Sequence, residues 1–137
     1  MKRVTGFGGL FFKCDDPSKI REWYNTHLGL SGDEYGTNFE WRKADSPEQK
    51  GFTVWSPFKK DTQYFSPSEK DFMINFRVEN LTQLLEVLKE EGVVILDEIQ
   101  VYEYGKFAHI MDPEGTKIEL WEPVDNEYEK IAGNTTY

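Results

Sequence analysis

Apolar and polar positions change period several times along the chain. From Gly9 to Asp16 they alternate, with Gly9, Phe11 and Lys13 on one face and Leu10, Phe12 and Cys14 on the other. Period two predicts a strand, here with its second face against a helix. Asp16 then offers an N-cap and Pro17 a proline at the first helical position. Ile20, Trp23, Tyr24 and His27/Leu28 recur at helical spacing, and Gly29 stops the run. Strands are predicted at about 38–43 and 51–56, with a short one near 33–36. The polar stretch from Ala44 to Lys50 reads as a loop. The sequence of patterns then starts again. A strand from Met73 to Val78 leads to Asn80 and Gln83, placed as a capping box. Leu81, Leu84, Leu85 and Leu88 form the helical stripe, and Gly92 ends it. Strands follow at about 94–101, 106–111 and 116–121, the last two joined by the turn Asp112-Pro113-Glu114-Gly115-Thr116.

The recurrence extends to residue level. Gly9 to Asp16 matches Met73 to Asn80 at an offset of 64 residues, and Gly51 to Pro57 matches Lys117 to Pro123 at 66. This pattern predicts a duplicated unit of about 65 residues, each copy β-α-β-β-β. Module one spans about 4–57, a linker about 58–70, module two about 71–124, and a tail 125–137. The tail is acidic and then polar, which suits either a mobile segment or a helix docked on a partner. Asn134-Thr135-Thr136 fits a glycosylation sequon, which carries no weight in a chain expected to stay inside the cell.

Composition narrows the classes. In 137 residues, 15% are aromatic, which speaks against disorder. The net charge of -9 would repel a phosphate backbone, so no nucleic-acid partner is expected. No apolar run is long enough to span a membrane. The single cysteine, Cys14, and the absence of an apolar leader at Met1 to Gly6 lead us to expect a reducing, cytoplasmic location.

The closing segment Asp112 to Pro123, with the two openings Phe7 to Leu30 and Phe72 to Gly92, resembles the vicinal oxygen chelate superfamily. That superfamily includes glyoxalase I, extradiol dioxygenases and bleomycin-resistance proteins. The resemblance covers about residues 4–124. It implies a single α+β domain in which two tandem βαβββ modules form a cleft with curved mixed sheets, helices outside. It also implies a small-molecule ligand, a homodimer, and a divalent metal held by His or Glu at four strand positions. Those positions fall here on Gly9, Thr53, Met73 and Glu119. Only Glu119 suits a hard cation, so no metal cofactor is expected. The alternative is a divalent ion held weakly by Glu119 and His109.

Strand alternation selects the residues that face the cleft. Lys117, Glu119 and Trp121 point inward from the last strand, with Ile118 and Leu120 behind. Met73, Asn75 and Arg77 point inward, as do Phe107, His109 and Met111. Pairing Ile110 with Ile118 sets His109 opposite Glu119. A carboxylate there would raise the imidazole pKa, and the pair reads either as catalytic acid and base or as a plain ion pair. Lys13 and Arg77 occupy equivalent places in the repeat. They are read as binding an anionic ligand, Arg77 being able to grip a carboxylate with two bonds, or as neutralisers of acidic neighbours such as Asp15, Glu79 or Glu119. Asn75, Thr53 and Phe107 complete the expected ligand contacts. Trp41 and Trp55 are assigned to a pocket wall, and Trp121, the repeat partner of Trp55, to core or rim. His27 reads as a solvated helix-end residue, and Cys14 as buried and inert. Two functions follow: a metal-independent binding protein, or a glyoxalase-like or dioxygenase-like enzyme using Glu119 and His109.

Overall fold

The computed structural model describes residues 2–133 and 135–136; Asn134 of the sequon lies outside them. The first unit runs β1 (Val4–Cys14), α1 (Pro17–Leu28), β2 (Thr37–Lys43) and β3 (Ser46–Lys59). The second runs β4 (Phe72–Val78), α2 (Leu81–Glu90), β5 (Val94–Ile95), β6 (Gln100–Tyr102), β7 (Gly105–Met111) and β8 (Lys117–Pro123). Helix α3 (Asp125–Ile131) and β9 (Thr135–Thr136) close the chain. The caps are the expected ones. Asp16 accepts from the Lys19 amide, Asn80 accepts from the Gln83 amide, and Gly29 takes φ +70° after α1.

All the strands join one curved mixed sheet in the order β5-β7-β8-β4-β1-β3-β2-β9, with β6 on β7. β1 and β4 run antiparallel at its centre. β1 pairs parallel with β3, as β4 does with β8. Around a two-fold between β1 and β4, β3 and β2 on one side answer β8 and β7 on the other, while the short strand predicted near 33–36 is an isolated Asp33–Gly36 bridge, so the first unit is β-α-β-β. One face packs on the helices: Val78, Leu81, Leu84, Ala108 and Leu120 form its buried core, with Ile110 and Ile118 against them.

The opposite, concave face is largely filled by the chain itself. Phe65, wholly buried in the segment between β3 and β4, packs on Phe11 and Met73. At the other end α3 lays the Tyr128 ring 5.3 Å from Phe52 and 5.1 Å from Trp121, and Tyr128 donates to Asn38 Oδ1 at 2.6 Å. The tail therefore docks on its own chain, and β9 extends the sheet beside β2.

Three further expectations are corrected. Residues 46–50 are strand, because β2 and β3 form a long hairpin around a tight turn at Ala44-Asp45. The strand expected at 94–101 breaks into β5 and β6, because Asp97 leaves the ladder to bind His109. The linker expected at 58–70 starts later, because β3 continues through Pro57 to Lys59, and it also covers the sheet.

Candidate functional site: a buried carboxylate–imidazole cluster

β7 and β8 hold the core of the site. Their hairpin pairs Ile110 with Ile118 and sets His109 directly opposite Glu119, as the apolar alternation requires. His109 is 2% exposed and Glu119 3%. His109 Nε2 lies 2.8 Å from Glu119 Oε2, and Nδ1 lies 2.6 Å from Asp97 Oδ2. Asp97 also accepts from the His109 backbone amide at 2.8 Å. A ring with a carboxylate oxygen at each nitrogen donates from both, as the imidazolium does. Burial opposes that charge. The hydrogen bonds and charges of Glu119 and Asp97 outweigh it and hold the His109 pKa above the ordinary imidazole value.

Glu119 takes two further donors. Asn75, its neighbour across β4 and β8, donates from Nδ2 to Oε1 at 2.7 Å. The Tyr64 hydroxyl reaches down to Oε2 from the segment between β3 and β4. Burial, and then the Glu119 charge, push the Tyr64 phenol well above its usual pKa, so it stays a donor. The Tyr64 ring stacks on Phe58, meets the His109 ring edge-on at 5.6 Å, and remains 41% exposed on its outer side. Lys117 anchors this cover by donating to the Tyr64 and Ser66 carbonyl oxygens at 2.7 and 3.0 Å. Asn75 Oδ1 is buried with no hydrogen-bond partner among the described residues. It faces Gly8, where any side chain would collide with it.

Beside the cluster, Tyr102, Tyr104 and Phe107 form an aromatic wall. Tyr102 stacks on Tyr104, both meet Phe107 edge-on, and Phe107 stacks on Trp121 at 5.6 Å.

The remaining expected residues are dispersed. Trp55 does not line the concave face. It packs against Phe12 and, on α1, Tyr24, at 5.3 and 4.6 Å. The ladders explain this. Leu10 pairs with Trp55 and Ile74 with Ile118, so Trp55 corresponds to Ile118 rather than to Trp121. A match wrong by an odd number of residues turns every side chain to the other face. Thr53 shares the Trp55 face, where its hydroxyl accepts from Trp41 Nε1 and donates to the Phe7 carbonyl. Lys13 and Arg77 do not converge, because antiparallel β1 and β4 carry equivalent residues to opposite ends of the sheet. Lys13 lies over the Phe65 ring. Arg77 pairs with Asp125 at 2.6 Å, not with Asp15, Glu79 or Glu119. Trp41 lies flat over Gly51 and reaches the Arg77 guanidinium, away from His109.

Sequence reasoning missed Tyr64, Asp97 and Asp125. Each lies in a stretch read as a linker, a continuous strand or a tail. The adjacent charges of Asp97 and Glu98 interrupt the predicted strand, but nothing local singles out Asp97.

The four positions that would hold a divalent ion do not fit one. Gly9 has no donor, Thr53 turns away, and Met73 is buried against Phe11 and Phe65. Both oxygens of Glu119 already accept from other side chains. Among the described residues, no group of three or more His, Cys, Asp or Glu side chains is placed to hold a metal. In the Asp97–His109–Glu119 row the ring itself separates the two carboxylates. None of the described helices is long and apolar enough to cross a membrane.

Comparison with known proteins bears on the fold. The chain is similar to the methylmalonyl-CoA epimerase of Mycobacterium tuberculosis, with 18% identity, TM-score 0.58, and coverage of 94% of this chain and 95% of that one. A Streptomyces coelicolor methylmalonyl-CoA epimerase gives 15% identity and TM-score 0.61 over 88% of this chain and 99% of that one. The Mn(II)-bound glyoxalase of Novosphingobium aromaticivorans gives 15% and 0.62, over 100% of this chain and 43% of the other. No curated protein matches. The model of the Glyoxalase/Bleomycin resistance protein/Dioxygenase superfamily matches residues 9–120. That match spans most of the sequence and agrees with the α+β fold, and the chain belongs to this superfamily.

Proposed function

We propose that this protein is a metal-independent, small-molecule-binding member of its superfamily, acting as a cytoplasmic homodimer. The ligand rests against the aromatic wall of Tyr102, Tyr104 and Phe107, beside Tyr64 and the sealed Glu119–His109 cluster. One observation carries this reading: Glu119 accepts hydrogen bonds from His109, Asn75 and Tyr64, three side chains of its own chain. A cation would have to strip away these donors and repel the imidazolium. Calorimetric titration with Mn2+ and with Zn2+ at neutral pH is expected to give no stoichiometric binding. A one-to-one isotherm that disappears in Glu119→Gln would overturn the reading. A thermal-shift screen of small oxygenated metabolites identifies the ligand, since binding to the native state alone raises the melting temperature.

A second reading is favoured by the Asp97–His109–Glu119 row. An imidazolium held between two carboxylates under a tyrosine is a proton store. It could serve as acid and base at a carbonyl-bearing substrate once Tyr64 moves aside. Similar epimerases are seen in complex with methylmalonyl-CoA and with 2-nitronate-propionyl-CoA, which makes methylmalonyl-CoA the first probe. The protein is incubated with methylmalonyl-CoA in D2O. Deuterium uptake at the α-carbon that is lost in Glu119→Gln selects the enzyme reading, and no uptake leaves the binding reading in place.

A further inference from the structure

At the end of the sheet away from Lys13, a second charged group is buried without belonging to the His109 cluster. The Arg77 guanidinium is 3% exposed and lies between two indoles, 4.9 Å from the Trp41 ring and 5.3 Å from that of Trp121. Its Nη2 donates to Asp125 Oδ2 at 2.6 Å. Among the described residues, its Nη1 has only the Phe52 carbonyl at 3.5 Å. Lys43 Nζ reaches the same Asp125 Oδ2 at 3.2 Å. Asp125 Oδ1 is buried and takes no hydrogen bond among the described residues.

This is a poor use of a guanidinium, whose fork matches both oxygens of a carboxylate at once. Here one oxygen holds two cations and the other none. The reason is the tether. Asp125 opens α3, and α3 is held in place by Tyr128 on Phe52, Trp121 and Asn38. The carboxylate is carried on this anchored helix and meets Arg77 through one oxygen. A free carboxylate has no such restraint. Room for the rest of a ligand adjoins the pair, in a depression of about 620 Å³ bordered by Trp41, Lys2 and Lys43. Asp45, Glu79 and Glu122 also stand on its rim and would repel added negative charge.

We infer that Arg77, between Trp41 and Trp121, heads a binding site for a small monocarboxylate, and that Asp125 of the tail occupies that site as a displaceable internal stand-in. The inference does not rest on the reading of Glu119.

Benzoate and its uncharged isostere benzamide are the probes, titrated at fixed ionic strength into wild type, Asp125→Ala and the double variant Arg77→Gln/Asp125→Ala. Asp125→Ala is expected to melt lower than wild type and to be restored by benzoate but not by benzamide. Its benzoate affinity should exceed that of wild type by about tenfold or more, because the internal competitor is gone. The double variant should show no such gain. Benzoate binding no tighter in Asp125→Ala than in wild type, or equal rescue by benzamide, would overturn the inference. Should Asp125→Ala fail to fold, Asp125→Asn serves. Benzoate should then shift the Trp41 and Trp121 indole N–H resonances at concentrations about tenfold below those needed for wild type. Unmoved indole signals would reject the site.

Discussion

Glu119 is at once the best-connected side chain of the concave face and the one whose charge costs most to strand. Removing one partner from a buried ion pair leaves the other uncompensated, a loss of about 3–5 kcal/mol. Glu119→Gln should destabilise the fold by that amount in urea unfolding, and the His109 pKa should fall, as read by NMR titration. Retained stability together with an unmoved His109 pKa would mean that the pair is electrostatically idle. Tyr64→Phe removes one hydrogen bond to a charged oxygen, worth about 1.5–3 kcal/mol, and leaves the stack on Phe58 intact. The sign of the pH dependence follows from the raised pKa of His109. A group whose pKa is higher in the folded state adds its full stabilisation below the unfolded value and loses it as pH rises through the folded one. Unfolding free energy should therefore fall as pH increases upward from about 6.5, and His109→Gln should flatten that slope.

At the scale of elements, the β7–β8 hairpin does the positioning. Gly105 opens β7 at φ +143°, and a side chain there would collide with Trp121 Nε1 and the Glu122 carbonyl. Gly115, in the hairpin turn at φ +80°, has nothing within 4 Å of an added Cβ. Gly105→Ala is expected to cost more than about 1 kcal/mol beyond Gly115→Ala, since only the first adds a collision to the unfavourable φ. Equal melting temperatures for the two variants would show that Trp121 yields freely. The same hairpin was the most legible part of the sequence. Its turn residues and the two-residue alternation of Ala108, Ile110, Ile118 and Leu120 specify both face and register within a short window. The β1–β3 pairing was not legible in this way. Parallel strands joined by a long crossover have no turn to set their register. The repeat offset therefore misassigned Trp55 and Thr53, although it identified both as strand residues.

Over the whole molecule, the concave face is covered from both ends by segments that carry no strong periodic signal. Phe65 and Tyr64 descend from one side and Tyr128 and Asp125 from the other. Between these covers a depression remains beside Arg77, and another is bordered by Phe11, Ser56 and Phe58. Apolar side chains also stand in water elsewhere, Trp23 at 52% and Phe7 at 48% exposure among them. The proposed homodimer would bury part of this surface. Sedimentation velocity at micromolar concentration should return twice the mass of the chain, and a sharp monomer peak would remove any groove between subunits.

From its residues alone this chain determined that each half runs from a strand through a helix to further strands, the face that β1, β4, β7 and β8 give to the helices, and the opposition of His109 to Glu119. Those features depend on side-chain period, capping and turn chemistry, which act between near neighbours. Only the tertiary structure decided that Glu119 would be saturated by Tyr64 and Asn75, that Asp97 would flank His109, and that Asp125 would occupy Arg77. Each of those contacts joins segments remote in sequence or leaves the ladder to form. Their partners are selected by the closing of the sheet and the burial of charge, which no local pattern encodes.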